Sequence, residues 1–203
     1  MSTPLSPSPV DTRPLRADAR RNRERVLVAA RASFAEHGLE AQMDDVAGRA
    51  EVGVGTVYRH FPTKEALVEA LAVERFRQLA ALARSALEVT DPWDSFSGFL
   101  RDAAQIQADD RTLTQVMATQ PGAMANAARN QTDLHEAVAQ LIARAQEAGV
   151  LRREVNADDI PMIMCGLGRA QQVDGTGPMR WRRYLALLLD GMRAPGSSRL
   201  PKD

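Results

Sequence analysis

The chain has 203 residues, enough for a small module beside a larger one, and an apolar share of 44% with only 4% aromatics favours helix formers over the mix found in sheets. Lys and Arg number 26 against 26 Asp and Glu, so the zero net charge supplies no global attraction to an acidic partner such as DNA. The single cysteine excludes an intrachain disulfide, the 3 histidines are too scattered for metal-ligand spacing, and no apolar run reaches the roughly 18 to 20 residues of a membrane span. An all-α cytoplasmic protein with no metal, cofactor or membrane partner is expected.

Pro4, Pro7, Pro9 and Pro14 among Ser and Thr cannot bury enough apolar surface to offset ordering, so residues 1–17 read as a disordered arm. From Asp18 the pattern turns helical, with Val26, Ala29, Ala30, Ser33, Phe34 and His37 at three and four residue steps and Gly38 as a stop. Between Arg13 and Arg31 seven arginines face two acids, so positive charge is concentrated locally even though the chain is neutral. Met43, Val46, Ala47 and Ala50 mark a second, short helix, Gly53 is suited to a tight turn, and Val54 to His60 reads as a third. Pro62 holds Phe61 extended, and Thr63 can cap a long fourth helix carrying Leu67, Leu71, Phe76, Leu79 and Leu82.

Asp91-Pro92 opens a helix with Phe96, Phe99, Leu100 and Ala103, and a weaker helix lies near Arg111 to Thr119. Pro121-Gly122 reads as a break, followed by a long helix with Leu134, Val138, Leu141, Ile142 and Ala145 that ends at Gly149. Asp158 or Asn156 can cap the next helix, Ile160 to Ala170, and Pro161 fits only in its first turn. Gly175 to Pro178 reads as a loop before a last helix with Trp181, Tyr184, Leu185, Leu188 and Met192 on one side. About nine helices are expected in all.

The segment from Met43 to Leu67, MDDVAGRAEVGVGTVYRHFPTKEAL, resembles the N-terminal signature of TetR-family regulators, which reads roughly IA..AGVS.GTLY.HF..KE.L. Ala47, Ala50, Val52, Gly55, Thr56, Tyr58, His60, Phe61, Lys64, Glu65 and Leu67 all fall at that spacing. Glu51 stands where the pattern has Gly, Gly53 where it has Ser, and Gln42 where Thr is common, so no hydroxyl-to-phosphate contact is carried to Gln42. The resemblance implies a helix-turn-helix domain at 18–67, a ligand-binding and dimerisation domain at 68–195 and a flexible tail at 196–203.

A recognition helix must enter a major groove about 12 Å wide, which favours small residues such as Val54, Gly55 and Thr56 at its leading edge. Thr56 can bond phosphate or touch a thymine methyl, the Tyr58 hydroxyl and His60 can donate to phosphate, and Arg59 can reach guanine or the backbone. Lys64, in the first turn of the fourth helix, can hold a phosphate together with exposed backbone N–H groups. Arg20, Arg21 and Arg23 either form a solvated helix face or grip phosphates, and Arg25 is open between the same two roles. Val57 and Phe61 read as core, packing the third helix against Val46 and Phe34.

The resemblance also implies a homodimer formed through the last two helices, and the wide apolar surface of Ile160 to Ala170, with Gly166 and Gly168 permitting close approach, agrees with it. Phe96, Leu100, Met117, Met124, Val138, Met162 and Cys165 either line a pocket for a small apolar effector or are plain core. Cys165 has no neighbouring His or Lys to activate it and reads as buried. No nucleophile-elbow, P-loop, zinc-protease or dinucleotide pattern occurs, so catalysis is not expected. The expectation is a dimeric repressor of a pseudo-palindromic operator, released by its effector. The alternative, kept open by Glu51 and the neutral charge, is a helical ligand- or partner-binding module with a degenerate helix-turn-helix that does not bind DNA.

Overall fold

A computed structural model describes residues 13–129, 132–170 and 180–195. The arm over 1–12, the loop at Gly175 to Pro178 and the tail at 196–203 lie outside the described residues. Ten α-helices and one 3-10 turn follow in order, and among the described residues there is no strand beyond an isolated bridge between Leu151 and Arg193. The chain divides into two compact units, Met1–Leu67 and Val68–Asp203.

In the first unit α1 (Arg13–His37), a 3-10 turn (Gly38–Glu40), α2 (Met43–Ala50) and α3 (Val54–His60) precede the opening turn of α4 (Lys64–Leu87). The first helix begins five residues before the expected Asp18, because Pro14 falls in its first turn, where a missing N–H costs nothing. Val26, Ala29, Ala30, Ser33 and Phe34 turn one stripe of α1 inward, while His37 is exposed. Met43, Val46, Ala47 and Ala50 of α2, Val57 of α3, Phe61 and Leu67 complete the core. Large apolar side chains buried this fully each stabilise the unit by about 1.5 to 3 kcal/mol.

The second unit holds the rest of α4, then α5 (Pro92–Asp109), α6 (Arg111–Ala118), α7 (Pro121–Arg129), α8 (Thr132–Glu147), α9 (Asp159–Ala170) and α10 (Arg180–Met192). Asp91 caps α5 by accepting from the Asp94 N–H at 2.8 Å. Pro121-Gly122 does not end helical structure: α6 stops earlier, at Ala118, Pro121 is the first residue of α7, and the Met124 N–H donates to the Gln120 carbonyl at 3.1 Å. This is the tenth helix, missed because proline breaks a helix interior but favours its first position.

α5 is the hub, with α8, α9 and α10 packed against it around Trp93, Phe96, Leu100, Val138, Leu141 and Leu185. Polar ties hold the connections. Arg144 of α8 donates to the carbonyls of Leu87 and Thr90, both at 2.7 Å, and so closes the end of α4. Gly149, at φ +71, ends α8 as expected. Asn156 accepts from the N–H groups of Asp158 (2.8 Å) and Asp159 (3.3 Å) to start α9. The buried Arg75 of α4 pairs with Asp110, at the start of α6, at 2.8 Å. No described helix is long and apolar enough to cross a membrane.

Candidate nucleic-acid interface

α3 is short and two-sided. Val57 is fully buried and Phe61, just past its end, is 3% exposed, whereas Val54, Gly55, Tyr58 and Arg59 face solvent at i, i+1, i+4 and i+5. A Cβ placed on Gly55 would meet nothing within 4 Å, so packing within the unit does not require glycine there; only clearance on the outer side is gained. Thr56 and His60, half-buried, flank this face. Arg59 has no ion-pair or hydrogen-bond partner among the described residues.

The other candidate cations are already engaged. Arg20 pairs with Glu24 (3.9 Å) and Arg21 with Asp18, both within α1. The Arg23 guanidinium lies 5.4 Å from the centre of the Phe61 ring. Lys64 donates to the Leu39 carbonyl at 2.5 Å and sits 5.6 Å from the Phe34 ring centre, so it fastens the start of α4 to the end of the 3-10 turn region. Its ammonium carries three donors, and the bond to Leu39 does not exhaust them. Thr63 caps α4 by accepting from the Ala66 N–H at 3.1 Å. Hydrogen bonds from the Glu65 backbone N–H, then from Thr63, with Lys64 adding to them, hold the Glu65 carboxyl below its ordinary range.

The turn between α2 and α3 departs from expectation. Gly53 has ordinary extended dihedrals (φ −65, ψ 143), and the left-handed residue is Glu51, at φ 52 and ψ 44. The reversal falls at the C-cap of α2, two residues before Gly53, where a glycine is the usual occupant. The Glu51 side chain reaches Arg25 of α1 at 3.0 Å. That pair was not foreseen; the glutamate in a glycine position was its only signal. Gln42, ahead of α2, donates from its backbone N–H to the Asp45 carboxylate at 3.3 Å and from its side chain to the Glu40 carbonyl at 2.8 Å.

The seven effector-site candidates separate. Phe96, Leu100, Met117 and Val138 are buried, and Met124 is half-buried. Met162 is 73% exposed and Cys165 is also exposed, which corrects the expectation that they lie inside. α9 turns Ile160, Leu167 and Gly168 inward, and its period places 162 and 165 on the opposite side. A groove of about 500 Å³ runs between α5 and α10, lined among others by Trp93, Arg101, Gln105, Trp181 and Arg193, and none of the seven belongs to it.

Two family models match: "Bacterial regulatory proteins, tetR family" over residues 26–71, and "Transcriptional regulator SbtR-like, C-terminal domain" over residues 91–194. A crystal structure of a TetR transcription regulatory protein from Mycobacterium vanbaalenii is 36% identical, superimposes with a TM-score of 0.60, and is matched over 88% of this chain and 99% of that one. The HTH-type transcriptional repressor KstR of Mycobacterium tuberculosis is 35% identical over 133 residues, 64% of this chain and 60% of that protein. The HTH-type transcriptional regulator UidR of Escherichia coli is 27% identical over 147 residues, 70% of this chain and 75% of that one. The chain thus spans less than two thirds of KstR.

Proposed function

This chain belongs to the TetR family of bacterial regulatory proteins, and on that premise we propose that it is a dimeric, cytoplasmic transcriptional repressor that binds a pseudo-palindromic operator. The observation that carries this reading is the outer face of α3, where Val54, Gly55, Tyr58 and Arg59 project together and Arg59 is left unpaired among the described residues. Arg59 reads a guanine edge or the backbone, Gly55 and Val54 let the helix approach the base edges, and Thr56, Tyr58 and His60 donate to phosphates. Lys64 adds a phosphate contact from the start of α4, and Arg20 and Arg21 exchange their carboxylate partners for phosphate as α1 meets the backbone.

Dimerisation through α9 and α10 gives a home to Met162, Leu187, Leu188 and Tyr184, which are 73, 59, 39 and 37% exposed. A small apolar effector enters among the interior side chains Phe96, Leu100, Met117, Met124 and Val138 and shifts affinity for DNA by favouring one state of the dimer. KstR is named a repressor, which supports the sign of regulation. Selection of duplexes from a random pool, followed by anisotropy titration, tests the reading. A near-palindromic duplex with strongly salt-dependent affinity is expected; no duplex retained at low salt would refute it.

A further inference from the structure

We propose that Glu51 governs the selectivity of this interface by holding Arg25 in an ion pair and away from the phosphate backbone, so that non-specific duplex is disfavoured more than the operator. The inference rests on α3 being the groove-reading helix.

Glu51 is the one non-glycine residue with positive φ among the described residues, and an L-residue in that region is strained relative to glycine. Its carboxylate accepts from Arg25 Nη2 at 3.0 Å, and the same nitrogen lies 3.5 Å from the Glu51 carbonyl oxygen. The two side chains are 85% and 46% exposed. An exposed pair of this kind contributes little to stability, so folding alone does not account for a strained glutamate three residues ahead of Val54.

Charge accounts for it. From Arg13, where α1 begins, to Leu67 ten Lys and Arg face eight Asp and Glu, so the reading unit carries only a small positive charge, and one charge more or less is a large share of its pull on DNA. The pairs of Arg20 and Arg21 lie within α1, whereas Glu51 comes from the turn that leads into α3. Non-specific binding rests on phosphate contacts alone, while operator binding adds base contacts from α3. Neutralising Arg25 therefore subtracts from both modes but takes the larger share of the non-specific one.

The test uses the full chain, the duplex that it selects from a random pool, and a scrambled duplex of equal length, titrated over a range of salt. Glu51→Gln removes the charge and Glu51→Gly removes charge and strain together. Both are expected to tighten scrambled-duplex binding about 5-fold or more, steepen its logarithmic salt slope by about 1, and narrow the preference for the selected duplex. Glu51→Gly alone should raise the melting temperature, which separates backbone relief from charge. Adding Arg25→Ala to Glu51→Gly should return the scrambled-duplex affinity to the wild-type value. Variants within 2-fold of wild type on both duplexes, or a gain that survives Arg25→Ala, would overturn the inference alone. A wild-type chain that retains no duplex at low salt would overturn it together with the DNA-binding reading.

Discussion

Replacing Arg75 by methionine is expected to destabilise the second unit by about 3 kcal/mol, and replacing Asp110 by alanine by about the same. Their side chains are 9% and 18% exposed and meet at 2.8 Å, so both ions have surrendered most of their water. Two charges about 4 Å apart attract by about 4 kcal/mol at an effective dielectric of 20, and desolvation cancels much of that sum in the intact pair. Removing one partner keeps the other's desolvation while taking away the ion-pair contact at 2.8 Å. The double variant Arg75→Met/Asp110→Ala buries no ion and should cost less than either single variant, far below the roughly 6 kcal/mol that independent effects would give. Asp110 makes no side-chain capping bond to α6, so its removal does not add a lost cap. Urea unfolding followed by tryptophan fluorescence reads the right unit, because Trp93 and Trp181 are the chain's 2 tryptophans and both are buried in the second unit. Additive losses with unchanged denaturant slopes would refute the reasoning.

At the interface, Arg59→Ala should weaken binding to the selected duplex by about 1 to 3 kcal/mol and relax preference at one base position, whereas Tyr58→Phe should weaken all duplexes alike; anisotropy across single-base operator variants distinguishes the two. Leu187→Glu places a charge on the exposed apolar side of α10 and should shift sedimentation from dimer to monomer, with Cys165 more rapidly labelled by thiol reagents in the monomer. Phe34, 1% exposed, is expected to cost about 3 to 5 kcal/mol on truncation to alanine, seen as earlier loss of helical signal from the first unit and loss of DNA binding. Glu65, whose carboxyl is lowered in the fold, contributes stability that is present above its ordinary value and lost as the pH falls through the lowered one. Glu65→Gln should flatten that part of the acid limb of a melting-temperature profile.

The helix-turn-helix was legible because its residues are fixed by spacing within some twenty positions: Val57 and Phe61 are buried as expected, and Tyr58 and Arg59 face out. Local chemistry also located the caps at Asp91 and Thr63. What escaped depends on where a chain reverses and on which neighbour a helix meets. The left-handed residue is Glu51 and not Gly53 because backbone position, not residue type, decided the reversal. Met162 and Cys165 were placed inside because α9 is apolar on several sides, and periodicity ranks faces without saying which one the rest of the unit covers. The Arg25 to Glu51 and Arg75 to Asp110 pairs join residues 26 and 35 positions apart, beyond the reach of any local pattern.

Arg144 sits 57 and 54 positions after the two carbonyls that it binds, Leu87 and Thr90. As the chain emerges during synthesis, the corner between α4 and α5 forms with those oxygens bonded to water, and it is locked only when α8 docks. Long loops close late, after local helices have formed. Loss of the guanidinium, in Arg144→Met, is therefore expected to accelerate unfolding more than it slows folding, as read from the two arms of a denaturant chevron. A residue of α8 thus adds to the time for which the α4 corner stays shut against proteases.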